Sequence, residues 1–290
     1  LEAVRQHSNR RSTMLKVEHI TMRFGKKTII KDISMELEEG IHGLLGPNGA
    51  GKTTFIRSVA GLYPKSKGSV YFNGEKLEGS HIGYLPQKFG LFPNMTVRQL
   101  MHYLGTMKKL PRAAIEKELE QLLDELHLTE QADCKGAKLS GGMIRRVGIM
   151  QAFLGNPGVV LLDEPTAGLD PEERLRFKNF MKERKRNGQT ILVSTHIVDD
   201  IDYIGDYVEV MQEGQIKKKG TCDEIISCAA GKVYEMERET YERQISPGIL
   251  VKEYEKEGMG KVRVLLPDGA EEQELTPTLE DGYLCILKGW

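Results

Sequence analysis

The sequence predicts an α/β fold with a mostly parallel sheet, and three observations predict it. Short apolar runs at 41–45, 159–162 and 191–194 read as strands buried on both faces. Between them lie stretches of helical periodicity, clearest over 112–132, where Ile115, Leu119, Leu122, Leu123 and Leu126 share one stripe. Strands that alternate with helices in this way return parallel to one another.

Taken in order, residues 1–13 are polar with scattered Arg and lack the apolar centre of a secretion signal. Met14 reads as a natural start, so 1–13 are expected to be added sequence or a loose tail. Leu15, Val17 and His19 alternate with polar neighbours, and after a turn at 25–27 a second strand covers 29–37. Gly40 introduces the buried run 41–45, which feeds a glycine-rich turn and then a helix over 53–60, stopped by Gly61. The charged face of the 112–132 helix, residues 116–125, reads as solvated surface. A further helix begins near Ser140 and carries Ile144, Val147, Met150 and Phe153. Pro157-Gly158 and Asp163 bound the strand 159–162. Asp170-Pro171 reads as an N-cap followed by Pro at the first helical position, with Gly188 at the other end. The basic run 182–186 on that helix has acidic neighbours and reads as solvated. Beyond about Gly231 the chain becomes Glu- and Lys-rich: a strand at 261–266, a turn at Pro267-Asp268-Gly269, and a short helix from Thr276-Pro277 through Leu284. This stretch, 231–290, is expected to be a small accessory element.

Composition bounds the function. The 290 residues allow one large domain or two ordinary ones, and 41 Lys+Arg against 42 Asp+Glu leave a net charge of -1. That balance excludes the basic footprint of a dedicated nucleic-acid binder, so no nucleic-acid partner is expected. No apolar run reaches the roughly 18 residues needed to cross a bilayer, so a partner must supply any membrane span. Cys134, Cys222, Cys228 and Cys285 form no CxxC pair and read as reduced thiols of a cytoplasmic protein rather than a zinc site.

Two motifs carry chemistry. Gly46-Pro47-Asn48-Gly49-Ala50-Gly51-Lys52-Thr53 matches GxxxxGK[ST], lies between a strand and a helix, and continues into Thr54. Its glycines let backbone N–H groups turn in around a phosphate, and the helix adds its positive end. Lys52 is then expected to bridge the β- and γ-phosphates of a nucleoside triphosphate, and the Thr53 hydroxyl to hold Mg²⁺. The second motif is the apolar strand 159–162 ending in Asp163-Glu164. It puts Asp163 near the metal at the carboxyl edge of the sheet, and Glu164 next to it as general base for an attacking water, an effect worth roughly 10²–10⁴ in rate. Together the two motifs indicate an NTP hydrolase.

Four further segments narrow the class. Leu139-Ser140-Gly141-Gly142-Met143 resembles the LSGGQ signature of the ATP-binding cassette (ABC) family, with Met143 where Gln is usual. Gln87, in Tyr84-Leu85-Pro86-Gln87, is similar to that family's Q-loop glutamine, Ala167-Gly168-Leu169-Asp170 to its D-loop, and His196, in Ser194-Thr195-His196, to its switch histidine. Phe24 stands where the family places an aromatic residue that stacks on adenine; packing under the first hairpin is the lesser alternative.

The resemblance, covering 15–226 in family order, implies a P-loop NTPase (RecA-like) core with an antiparallel β subdomain and a helical signature subdomain at about 91–144, within a nucleotide-binding domain over 14–230. It implies a head-to-tail pair of ATPase subunits, alike or paralogous, in which Ser140, Gly141, Gly142 and Asp170 of one serve ATP on the loop of the other. Gln87 would reach Mg²⁺ and the attacking water, and His196 the γ-phosphate. It also implies a multispan permease partner at the cytoplasmic face of a membrane. Residues 89–95, with Phe89, Leu91 and Phe92, are either its docking surface or core. Thr276-Pro277-Thr278-Leu279-Glu280-Asp281-Gly282-Tyr283-Leu284 resembles the ending of drug- and polysaccharide-exporter ATPases, which favours export; a capped helix packing Leu279, Tyr283 and Leu284 explains the same residues. The alternatives are a soluble cassette ATPase acting on ribosomes or nucleic acid, which typically has paired cassettes or cysteine pairs, and a small-molecule phosphotransferase, which leaves 139–143 unexplained.

Overall fold

The computed structural model describes residues 14–64, 67–243, 248–256, 258–267 and 273–290, so the expected tail 1–13 and the turn at Asp268-Gly269 lie outside the described residues. The chain begins with β1 (Leu15–Phe24), β2 (Lys27–Leu37), β3 (Gly40–Leu45), α1 (Lys52–Val59), β4 (Lys67–Phe72), β5 (Glu75–Lys76) and β6 (Ile82–Leu85). Three helices follow, α2 (Val97–Met107), α3 (Arg112–Glu125) and α4 (Gly141–Phe153). Next come β7 (Val159–Asp163), α5 (Pro171–Arg184), β8 (Thr190–Thr195), α6 (Val198–Ile204), β9 (Tyr207–Gln212), β10 (Gln215–Thr221) and α7 (Cys222–Ile226). The last part holds β11 (Val233–Glu237), α8 (Arg238–Arg243), β12 (Ile249–Lys256), β13 (Met259–Leu265), β14 (Gln273–Glu274) and α9 (Leu279–Lys288).

The central sheet has the order β10-β9-β3-β8-β7-β6 and is parallel except for the β9–β10 hairpin. β3, β7 and β8 are buried along their whole length, as their apolar runs predict. Alternation sends Ile41, Leu45, Val160, Leu162, Ile191 and Val193 to one face, against α2 to α6. Leu44, Val159, Leu161 and Leu192 go to the other, against α1 and the antiparallel sheet β2-β1-β4-β5. The expected class, an α/β core with an antiparallel layer and a helical layer, is what the chain adopts.

Local departures have local causes. The inward series of β1 is Leu15, Val17, Ile20 and Met22, because a bulge at the exposed His19 (φ 52°) shifts the register after Val17. The periodic stretch 112–132 is helical only to Glu125, and Leu126 and Leu128 are buried beyond it. Its charged face is not all solvated: Glu118 accepts the Gly155 N–H at 2.6 Å, and Glu125 pairs with Arg184. Nor is the 182–186 run simply solvated, since Arg184 is buried against the Phe153 and Phe180 rings.

α4 lies unusually close to β6. A Cβ built on Gly83 would sit 1.7 Å from the Ala152 carbonyl oxygen, and one on Gly148 2.8 Å from Leu85 and Phe89. The absence of those two side chains lets helix and strand approach.

The accessory element is a third sheet, β12-β13-β11-β14, backed by α9. α9 starts at Leu279 rather than at Pro277, because Thr278 closes a capping box with Asp281 and a cap at Thr276 would put Leu279 where the box needs an acid. Asp281 is fully buried and also takes the Arg263 guanidinium, with Nη2 to Oδ2 at 2.5 Å. Leu279 and Tyr283 are buried and Leu284 packs behind them.

Candidate functional site

β3 ends at Leu45 and the chain turns through Gly46–Gly51 into α1. Gly49 (φ 82°) and Gly51 (φ 108°) hold left-handed conformations that other residues adopt only with strain. Gly51 caps α1 without a side chain and no acid occupies the first turn, so the first amides face outward with the positive end of the helix behind them.

Lys52 is buried beneath this turn. Its Nζ donates to the Gly46 carbonyl at 2.7 Å and lies 3.5 Å from Glu164 Oε1. Burial lowers the Lys52 pKa, and the Glu164 carboxylate works against that shift. Thr53, one residue on, donates from Oγ1 to Asp163 Oδ1 at 3.0 Å, where Ser194 Oγ also donates at 2.8 Å. Asp163 is fully buried, and its Oδ2 has no hydrogen-bond partner among the described residues. A buried carboxylate oxygen without a partner costs several kcal/mol unless something else satisfies it. Beside a threonine hydroxyl, it gives the hard oxygen pair that suits Mg²⁺.

Glu164 follows directly and has φ 49°, a left-handed conformation for a residue with a side chain. Its amide donates to the carbonyl and hydroxyl oxygens of Ser194, both at 3.1 Å, and its Oε2 lies 3.0 Å from Nδ1 of the half-exposed His196. Ile29, residues 48–54, Gln87 and Glu164 line one cleft of about 280 Å³. The glycine loop, the lysine, the threonines, the Q-loop glutamine and the acid that follows β7 therefore share a single space.

Other predicted residues stand apart from it. Ser140 caps α4, its Oγ accepting from the Met143 amide at 3.2 Å, and Gly141 is exposed beside it. Asp170 caps α5 through the Glu173 amide at 2.8 Å. None of Ser140, Gly141, Gly142 and Asp170 lines the cleft. Phe24 is 51% exposed, so it is not a core aromatic, and its ring stands perpendicular to that of Tyr63 with centroids 5.6 Å apart. Of 89–95, Phe89, Leu91 and Met95 pack on the core while Phe92 is 57% exposed.

Two residues escaped the sequence reading. Arg145 and Arg146 follow the signature and are both buried. Arg146 donates to the Leu126 and His127 carbonyls, each at 2.8 Å, and pairs with Glu173, tying the end of α3 to α5. Arg145 reaches the carbonyls after β6 and β7. Main-chain acceptors leave no mark in sequence; the one available signal was a pair of arginines on a helix whose neighbours are apolar.

Comparison with known proteins places this arrangement. The ABC transporter family profile matches residues 30–167. The linearmycin resistance ATP-binding protein LnrL of Bacillus subtilis is 33% identical over 225 residues, covering 75% of this chain and 72% of that protein. The chain belongs to the ABC transporter ATP-binding family. The Nod factor export ATP-binding protein I of Ralstonia nicotianae is 33% identical over 225 residues (75% and 70% of the two chains). The spermidine/putrescine import ATP-binding protein PotA of Bacillus thuringiensis is 35% identical over 219 residues (73% and 67%). A solved structure described as an ATP-binding subunit of an ABC transporter superposes with a TM-score of 0.69 at 30% identity, covering 74% of this chain and 92% of that one. The chain is thus an ATP-binding, ATP-hydrolysing subunit of an ABC transporter, a family whose ATPases pair with one another and with membrane permeases. Among the described residues no helix is long and apolar enough to cross a membrane.

Proposed function

We propose that residues 14–230 are a nucleotide-binding domain, with 91–144 as its helical part and 231–290 as an accessory element, that powers export by closing and opening as a head-to-tail dimer. One observation carries the mechanism: Lys52, Thr53, Gln87 and Glu164 line one cleft, while the Ser140 helix tip stands outside it. Within a protomer, the amides of 46–51 with Lys52, Thr53 and Thr54 hold the phosphates of ATP, and the exposed Phe24 stacks on adenine. Thr53, Gln87 and Asp163 hold Mg²⁺, which neutralises phosphate charge when bound. Asp163 Oδ2, without a partner among the described residues, on a carboxylate whose Oδ1 meets the Thr53 hydroxyl, supports this assignment.

Glu164 orients the attacking water and takes its proton, and His196, in contact with Glu164, faces the γ-phosphate. A second copy or paralogue adds Ser140, Gly141 and Gly142 to that phosphate, and Asp170 to the seam between subunits. Each charge-assisted hydrogen bond there is worth roughly 1.5–3 kcal/mol, so ATP closes the pair and hydrolysis releases it. The subunit sits on the cytoplasmic face of the membrane, held by a multispan permease through the exposed Phe92 next to the Q-loop. Export is supported by the 276–284 ending and by the Nod factor relative, although PotA, an importer by name, matches at similar identity.

Glu164→Gln tests the mechanism: it is expected to elute as an ATP-dependent dimer with turnover cut at least a hundredfold. A variant that stays monomeric with ATP, or hydrolyses at the parent rate, refutes it. Transport by the subunit reconstituted with its permease decides direction.

A further inference from the structure

Glu164 carries a strained backbone at the point where the reaction would be driven. Its φ of 49° puts a non-glycine residue in the left-handed region, at a cost of about 1–3 kcal/mol that neighbouring structure must over-determine. Both main-chain groups of Glu164 are anchored. Ser194 receives the amide on one side, and on the other Arg145 Nη2 donates to the Glu164 carbonyl at 2.5 Å.

Arg145 does more than this one bond requires. Nη2 also donates to the Asp163 carbonyl at 2.9 Å, and Nε to the Pro165 carbonyl at 2.8 Å. Nη1 turns the other way and donates to the carbonyls of Pro86 at 2.8 Å and Gln87 at 3.1 Å. The acceptors are five main-chain carbonyls on two segments, the last residue of β7 with the two that follow it and the two that follow β6. A planar guanidinium with five N–H donors in a fixed fork can bridge two such segments, whereas the flexible single ammonium of lysine cannot. Burial pulls the Arg145 pKa down to about 10, so the group remains charged at neutral pH and its bonds to carbonyls are charge-assisted. A helix merely docking on a sheet would not need every donor of one side chain to land within one residue of Gln87 or Glu164.

We propose that Arg145 is a positioning residue that holds Glu164 in its left-handed conformation and fixes the Q-loop backbone and the general base in one frame. The proposal rests on the reading of Glu164 as the base. Among the described residues Arg145 donates only to main chain, so its effect must pass through Glu164 and Gln87. Removing it leaves the glycine loop and Lys52 in place, because none of its bonds reaches them.

The test is a pair of measurements on the full chain, ATP affinity by equilibrium binding and turnover under single-turnover conditions. Arg145→Ala is expected to lower turnover at least tenfold while ATP affinity changes less than threefold. Arg145→Gln, which keeps two N–H donors, should recover part of the loss. In the Glu164→Gln background, Arg145→Ala should lower the residual rate less than twofold, and the double variant should still dimerise with ATP. Equal fold losses on both backgrounds, or affinity falling in step with turnover, would overturn the proposal. If Arg145→Ala fails to fold, Arg145→Gln carries the same comparison. Parent-like turnover in the Glu164→Gln single variant would instead sink the base assignment itself, whatever Arg145 does.

Discussion

The two ends of the catalytic apparatus are built in opposite ways. Around the glycine loop, Lys52, Asp163, Glu164 and Ser194 are buried and joined by short contacts into one network. At the signature, Ser140 and Gly141 stand exposed at a helix tip, and among the described residues the serine hydroxyl is occupied only by its own cap. A buried polar network is held rigid by the cost of leaving any member unsatisfied, so the first end keeps its geometry without help. The second offers a helix N-terminus to water, an arrangement that stabilises an anion only when a neighbour brings one. On the proposed mechanism, one protomer would grip a nucleotide alone, whereas fast hydrolysis would require the exposed end of another.

Variants sharpen that contrast, beginning with the largest effect. Lys52→Ala removes the cation from the buried end, and ATP affinity should fall at least a hundredfold; an equilibrium titration showing tight binding would break the comparison at its stronger half. Ser140→Ala strikes the exposed end, so ATP binding to the monomer should stay within about twofold while ATP-driven dimerisation and turnover fall roughly tenfold. Sedimentation with and without ATP separates the two, and lost monomer affinity would show that the ends are not independent. Arg263→Met leaves buried Asp281 without its cation, far from either end, and should destabilise the accessory element by about 3 kcal/mol. The lone tryptophan, Trp290, packs on that element, so its fluorescence in a urea titration reads the loss, and ATP affinity should not move.

Contiguity decided what was legible in the sequence. The glycine loop, the 159–164 run and the 139–142 turn are each local strings whose chemistry and local structure coincide, so both could be read from neighbouring residues. Arg145 and Arg184 were hidden because a helical wheel counts arginine as solvated; carbonyls brought by distant segments, or facing aromatic rings, are what bury it. His19 was misread because a bulge preserves the apolar composition of a strand while changing which residue faces inward. The 276–284 ending shows a subtler limit. Its Thr278, Leu279, Asp281 and Tyr283 cap, pair and pack the last helix, so a string suggestive of transport direction also has a complete architectural explanation.

Gly83 sets a spacing that no interaction could set by attraction. With a single hydrogen where a methyl would strike the Ala152 carbonyl, the strand leading to Gln87 and the helix descending from Ser140 leave no room for one more carbon atom. Alanine there would act as a wedge between the strand that leads to Gln87 and the helix capped by Ser140, while every named reactive group remained chemically intact. In the proposed motor, the clearance of one missing carbon atom would join two remote surfaces into a single lever.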